Sequence, residues 1–113
     1  MCSKDILADI SERIAKSAKE ALGENFDSAV LYGSYARGDF DEESDIDIMI
    51  LANLPKTALV DYKKPLARLT SELGLKYDIV ITVTLRDTET FNKFQNAVPF
   101  YNNIKKEGIR IAV

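Results

Sequence analysis

Residues 31–50 read LYGSYARGDFDEESDIDIMI, so an acidic run passes directly into an apolar one. Six of the nine residues from Asp39 to Asp47 are acidic, and Ile-Met-Ile-Leu follows them. The apolar run predicts a buried strand. Asp45 and Asp47 stand two positions apart at its start, which points both side chains to one face, with Cα atoms about 6.5–7 Å apart. Two carboxylates so close repel each other unless a cation lies between them.

The composition is that of an ordinary globular chain, and it excludes several classes of catalytic and metal site. The 113 residues suit one domain, predicted over residues 1–113, with 46% hydrophobic and 29% charged residues. A net charge of −3 argues against direct nucleic-acid binding. The chain has no histidine, which excludes Ser-His-Asp and Cys-His catalysis and the histidine-bearing zinc sites. A metal would be held by oxygen, as magnesium, manganese and calcium are.

The N-terminal residues and the cysteine indicate the cellular compartment of the protein. Charges throughout residues 1–16 exclude a signal peptide and a membrane span there. The single cysteine, Cys2, cannot form an intramolecular disulfide, which fits a reducing compartment. We therefore expect a cytoplasmic protein.

The periodicity of the chain predicts alternating helices and strands. Apolar residues recur at helical spacing from Ile6 to Leu22, with Ser3 as N-cap and Gly23 as the stop. Strands are predicted at 28–33, 45–52 and 76–85, and a helix at 57–73 closed by Gly74. A helical or mixed segment is predicted over 87–106, interrupted by Pro99, which opens a last helix, and a terminal strand follows Gly108. Either the helix at 57–73 begins near Lys64 with Pro65 in its first turn, or it is kinked at Pro65. This order predicts a single α/β domain.

A third acid, Asp78, stands near the start of the predicted strand 76–85. If that strand neighbours the Asp45–Asp47 strand, three carboxylates converge at one end of the sheet, as a two-metal site requires. Capping or a buried hydrogen bond is the structural alternative for Asp78. An EF-hand is excluded, because Ser44 stands where its glycine is needed and Ile50 where its final glutamate is needed.

The residues GSYARG at 33–38 follow the first strand. Gly33 lets backbone N–H groups approach phosphate oxygens, Ser34 adds a hydroxyl donor, and Arg37 adds positive charge. A Gly-Ser pair by itself is a weak signal, and its value here depends on its distance from the aspartates.

The spacing resembles the G-S-x10-D-x-D signature of the DNA polymerase beta nucleotidyltransferase superfamily. In its finer form it is similar to the minimal nucleotidyltransferase (MNT) group, with the pattern G-S-x-A-R-G-x5-S-D-x-D. The positions that match this pattern are Gly33, Ser34, Ala36, Arg37, Gly38, Ser44, Asp45 and Asp47. Asp78 fills the place of the family's third acid, and the closing NIKKEGIRI is similar to the family's C-terminal end.

The resemblance implies the polymerase-beta-like nucleotidyltransferase fold, a mixed β-sheet flanked by helices. It implies metal-dependent transfer of a nucleoside monophosphate from ATP or another NTP. Asp45 and Asp47 would bind two Mg²⁺ ions, and Asp78 would complete one metal site and help to deprotonate the acceptor.

The resemblance also assigns the nucleotide-binding residues. Gly33 and Ser34 would hold the β- and γ-phosphates. Arg37, Gly38 and Ser44 would shape that turn, with Arg37 near the triphosphate.

The resemblance implies a partner as well. MNT proteins of this size resemble antitoxins that pair with HEPN-type ribonuclease toxins and silence them by adding AMP to a tyrosine, so we expect a hetero-oligomer. With 113 residues, we expect no separate acceptor-binding domain and an acceptor site supplied from elsewhere. The alternatives are an antitoxin that neutralises by binding alone and a transferase for small acceptors such as aminoglycosides. Bulky residues near the C-terminus serve either the core or a partner interface: Phe91, Phe94, Phe100 and Tyr101.

Overall fold

A computed structural model describes residues 4–38, 44–94 and 97–112. The described elements are α1 (Lys4–Leu22), a 3-10 turn (Gly23–Asn25), β1 (Phe26–Tyr32), α2 (Ser34–Arg37), β2 (Ile46–Ala52), α3 (Lys56–Tyr77), β3 (Ile81–Asp87), α4 (Thr88–Phe94), α5 (Pro99–Glu107) and β4 (Ile109–Ala112). Ser3 and the acids from Asp39 to Glu43 lie outside the described residues.

The four described strands form one sheet in the order β3-β2-β1-β4. β2 and β3 run parallel, whereas β1 is antiparallel to both β2 and β4. The predicted α/β fold, a mixed sheet flanked by helices, is confirmed. The register places Tyr32 of β1 and Thr82 of β3 on either side of Asp47 in β2.

One face of the sheet carries the larger part of the core. The apolar stripe of α1 is buried here, with Ile10 and Ile14 0% exposed. α3 adds leucines at a spacing of seven residues, Leu59, Leu66 and Leu73. The isoleucines at alternate positions of β2 meet these helices, because side chains alternate between the two faces of a strand.

The opposite face carries a smaller cluster. Met49 and Leu51 of β2 pack there against Phe91 of α4 and Ile104 of α5. β2 is therefore covered on both sides, as its continuous apolar run predicts. Phe91 is buried in this core and Tyr101 packs at its margin with the ring centroids 5.3 Å apart, whereas Phe94 is 40% exposed.

α3 differs from the prediction at its end. The helix begins at Lys56 and passes through Pro65, so a start near Lys64 is wrong, and it continues past Gly74 to Tyr77. Gly74 does not stop the helix but permits a close return of the chain, because a Cβ there would lie 3.0 Å from the carbonyl oxygen of Ile79. The Tyr77 hydroxyl donates a hydrogen bond to Asp9 of α1, which stabilises the last turn.

Among the described helices, none is both long enough and apolar enough to cross a membrane.

Candidate active site

Asp45 and Asp47 lie where β2 begins, at one end of the parallel pair of strands. Asp45 is exposed and precedes the strand, while Asp47 is half-buried as its second residue. The buried positions that follow hold this strand end in place, since Ile48, Met49 and Ile50 are 0% exposed. The core thus fixes the backbone that carries the two carboxylates.

The turn after β1 brings Gly33 against Asp47. Gly33 has φ 76° and ψ −156°, a conformation that L side chains rarely adopt. A Cβ at this position would lie 2.5 Å from Oδ2 of Asp47. Glycine is therefore required both by the backbone and by the carboxylate beside it.

The GSYARG segment forms a single helical turn after Gly33. The backbone N–H groups of Ala36 and Arg37 donate to the Gly33 carbonyl oxygen at 3.1 Å. The N–H of Gly38 donates to the carbonyl oxygen of Ser34 at 2.9 Å. Gly38 ends the turn with φ 83°. The sequence therefore folds back at once, so that Ser34 and Arg37 lie close to the start of β2.

Arg37 and Ser44 border the site. The Arg37 guanidinium is exposed and lies 3.6 Å from Oε2 of Glu107 at the end of α5. Its charge also acts on Asp47, whose pKa it lowers. Ser44 is half-buried immediately before Asp45.

The pKa of Asp47 is nonetheless raised above its ordinary value. Burial is the main cause and the negative charge of Asp45 the second, and the two together outweigh the opposing effect of Arg37. Without a bound cation, this environment therefore destabilises the ionised form of Asp47. A positive ion at this position would remove the penalty.

Asp78 does not lie where the sequence predicted it. It follows the last residue of α3, is exposed, and has φ 52° and ψ 51°. β3 begins only at Ile81, and its residue in register with Asp47 is Thr82, four positions after Asp78. The predicted convergence of three carboxylates is therefore wrong for the described residues, none of which form a group of three metal-binding side chains.

Sequence reasoning missed the polar residues that do share the face of Asp47. Thr82, Thr84 and Arg86 alternate along β3 and fall on this face by register. Tyr32 lies among them, and its pKa is raised above the ordinary value. Burial and the negative charge of Asp47 raise this pKa, and they outweigh a hydrogen bond with Thr84 and the positive charge of Arg86, which lower it. The polar–apolar alternation of TVTLR was the signal that could have revealed this face.

The sequence profile of the nucleotidyltransferase domain family matches residues 11–111. The chain belongs to this family. The prediction of a nucleotidyltransferase is confirmed, and the matched segment contains Gly33, Asp45 and Asp47.

Two similar proteins come from Methanocaldococcus jannaschii, and both carry the name of a candidate protein adenylyltransferase. MJ0141 is 38% identical over 76 residues, which are 67% of this nucleotidyltransferase and 75% of that protein. MJ0604 is 42% identical over 79 residues, or 70% of this chain and 71% of that protein.

A crystal structure of a toxin–antitoxin with AMP-PNP has the same fold. It superimposes with a TM-score of 0.51 at 17% identity and covers 91% of this chain and 70% of that chain. At this identity the likeness concerns the fold.

Proposed function

We propose that this nucleotidyltransferase moves AMP from ATP to a hydroxyl group of a partner protein. The observation that carries the proposal is the pair Asp45 and Asp47, held on a buried strand end against the glycine turn at Gly33. The names of the two archaeal relatives support a protein as the acceptor and an adenylyl group as the part transferred.

Asp45 and Asp47 fit a magnesium ion. Mg²⁺ is usually bound by one or two carboxylates together with water and substrate phosphates, so two carboxylates are a sufficient protein donor set for one ion. The raised pKa of Asp47 agrees with this, because the half-buried carboxylate has a second negative charge beside it. When bound, Mg²⁺ neutralises charge on the triphosphate and on the leaving pyrophosphate.

The turn at residues 33–38 would hold the rest of the triphosphate. Gly33 keeps side-chain atoms away from Asp47, Ser34 offers a hydroxyl donor, and Arg37 adds a positive charge. Gly38 ends this turn, and Ser44 stands immediately before Asp45.

In the reaction, the acceptor oxygen forms a bond to the α-phosphorus of ATP while the bond from that phosphorus to the bridging oxygen breaks and pyrophosphate leaves. The acceptor hydroxyl releases its proton to water. Asp78 takes no part in the proposal, and Thr82 occupies the register position beside Asp47. A phenol, with a pKa near 10, loses its proton far more readily than an alcohol, which favours tyrosine as the acceptor.

We propose a HEPN-type ribonuclease toxin as the partner, so that this protein acts as an antitoxin in a hetero-oligomer. The MNT pattern of the sequence supports this. The toxin–antitoxin with AMP-PNP, which shares the fold, agrees with it.

The test is transfer of label from α-labelled ATP to the toxin in the presence of Mg²⁺. We expect label on a toxin tyrosine with the wild type and none with Asp45→Asn/Asp47→Asn. A control variant with the same change in net charge is Glu12→Gln/Glu20→Gln, on the exposed face of α1, and it should transfer normally. Equal labelling by both double variants would contradict the proposal.

A second function is favoured by one observation, the presence of Thr82 rather than an acid beside Asp47. A site with fewer carboxylates is also compatible with an antitoxin that neutralises by binding. Full neutralisation of the toxin by Asp45→Asn/Asp47→Asn, with no label on the toxin in any reaction, would establish this second function.

A further inference from the structure

The outer edge of β3 is open in the described part of the chain. β3 pairs with β2 on one side, and the sheet order places it at the end of the sheet. A groove of about 540 Å³ runs along this edge, between residues 81–86 of the strand and one side of α3. Its α3 wall includes Lys63, Ala67 and Thr70.

Backbone N–H groups of β3 face this groove, and no strand among the described residues pairs with them. The N–H of Ile46 donates to the Val80 carbonyl oxygen at 3.0 Å, which fixes which residues of β3 point towards β2. In a parallel ladder alternate residues face the partner strand. The N–H groups of Val83 and Leu85 therefore point outwards, and the Leu85 carbonyl oxygen accepts a long bond of 3.3 Å from the Arg86 guanidinium instead of a ladder bond.

The groove is basic although the chain as a whole is acidic. Lys63 and Arg86 line it, and both also line an adjoining cavity of about 320 Å³ that adds Lys56. Asp87 is the one acid among the described residues that line the two cavities, and its Oδ2 is occupied by hydrogen bonds from Thr90. Two copies of β3 joined edge to edge would bring these cations together, so the charge favours an acidic occupant over a second copy.

One residue connects the groove with the candidate active site by register. Thr82 lines the groove and is in register with Asp47. Side chains of a strand alternate between two faces, so every second residue of a strand added to β3 would lie on the face of Asp47.

We propose that an extended, acidic segment of the protein substrate docks in this groove as an added strand on β3 and brings the acceptor hydroxyl to the end near Asp47. Main-chain hydrogen bonds to Val83 and Leu85 supply affinity, and Lys63 and Arg86 select negative charge. The placement of the acceptor rests on the proposed function, whereas docking of the partner does not.

The first test compares Lys63→Glu with Lys64→Glu. Both lysines are exposed neighbours on α3, but Lys64 lines neither of the two cavities. Binding of the HEPN-type toxin is measured in the Asp45→Asn/Asp47→Asn background, so that it is independent of transfer. We expect Lys63→Glu to weaken binding at least about tenfold and Lys64→Glu to change it by less than about twofold. Equal effects of the two substitutions overturn the proposal.

Amide hydrogen exchange gives a second reading that needs no substitution. The N–H groups of Val83 and Leu85 should exchange rapidly in the isolated chain and slowly in the complex with the toxin. Unchanged exchange at both positions contradicts added-strand docking. Slow exchange in the isolated chain together with a dimer in sedimentation would assign the groove to a second copy, which also overturns the proposal.

The two proposals can fail separately. If the toxin receives no AMP but Lys63→Glu still weakens its binding, the transfer is wrong and the docking surface stands. If label is transferred equally well by the Lys63→Glu and Lys64→Glu variants of the active protein, the transfer stands and the docking surface is wrong.

Discussion

Asp47 and Asp87 lie at opposite ends of the same parallel pair of strands, and their pKa values are shifted in opposite directions. Burial raises the pKa of both. At Asp87, hydrogen bonds from the hydroxyl and the backbone N–H of Thr90 outweigh burial and lower the pKa, whereas at Asp47 the charge of Asp45 adds to burial.

The difference separates a structural acid from a candidate ligand-binding acid. Asp87 is 7% exposed and caps α4, with the Thr90 N–H 3.0 Å from its Oδ2. It stabilises the fold through donors that the chain itself supplies. Asp47 stands beside another acid, and the charge of Arg37 does not offset burial and the repulsion from Asp45.

The largest expected difference between the two ends is in activity. Asp47→Asn should lower the rate of AMP transfer by at least about 10²-fold, because the carboxylate acts on charge that develops during the reaction. Asp87→Asn should leave the rate within about twofold, since its carboxylate serves the helix cap. Steady-state transfer assays well below the melting temperature of each variant measure this. Similar losses at both positions would remove the distinction.

The next largest effect is on stability at the Asp47 end. Gly33→Ala should cost about 1–3 kcal/mol through its positive φ and should also displace the Asp47 carboxylate. Urea unfolding measures the first effect, and Mg²⁺-dependent nucleotide binding measures the second.

Gly23→Ala is the matched control for Gly33→Ala. Gly23 also has a positive φ, 58°, but a Cβ there meets nothing within 4 Å. This variant should lose stability through strain and bind nucleotide normally. Unaltered nucleotide binding by Gly33→Ala would mean that the close approach to Asp47 is unimportant.

At the other end, Asp87→Ala removes the cap of α4 and should lower the free energy of unfolding by about 0.5–2 kcal/mol. Because the pKa of Asp87 is lowered by folding, its stabilisation is fully present above the ordinary value of 3.8 and is lost as the pH falls through the lower folded value. Urea unfolding of wild type and variant from pH 7 to pH 2 should show the difference between them shrinking in acid. A constant difference would contradict the role of the carboxylate.

The smallest effect has the opposite sign. Since folding raises the pKa of Asp47, its ionisation opposes folding, and Asp47→Asn should raise the melting temperature slightly at pH 7. The gain should vanish as the pH falls through the raised folded value towards 3.8. Mg²⁺ should stabilise the wild type and leave the variant unaffected. A variant that melts below the wild type at pH 7 would show that Asp47 is structural, like Asp87.

The sequence predicted those parts of the fold that depend on local pattern. The apolar run after Asp47 identified β2 as a strand buried on both faces, and the helical spacing before Gly23 identified α1. Pro99 begins α5 as its fixed φ predicts, and Gly108 follows the last residue of the helix as predicted, where a Cβ would lie 2.5 Å from Val30. The spaced motif around Gly33 identified the family because several fixed positions occur together.

What the sequence did not predict depends on contacts between distant residues. KYD reads as the beginning of a strand, but residues 76 and 77 belong to α3, where Tyr77 donates a hydrogen bond to Asp9 of α1. Asp78 therefore follows the helix and precedes the sheet. The position of Thr82 beside Asp47 depends on the register of β2 and β3, which no local pattern determines.

The open edge of β3 has a consequence for handling the protein. A strand edge that can accept a partner segment can also accept strands from misfolded chains, and such edges are common starting points of aggregation. The positive charges of Lys63 and Arg86 on two copies of the chain repel each other and so oppose pairing of their β3 edges. Salt screens this repulsion. High ionic strength, which usually keeps proteins in solution, should therefore promote association of this chain, and co-expression with its partner should prevent it.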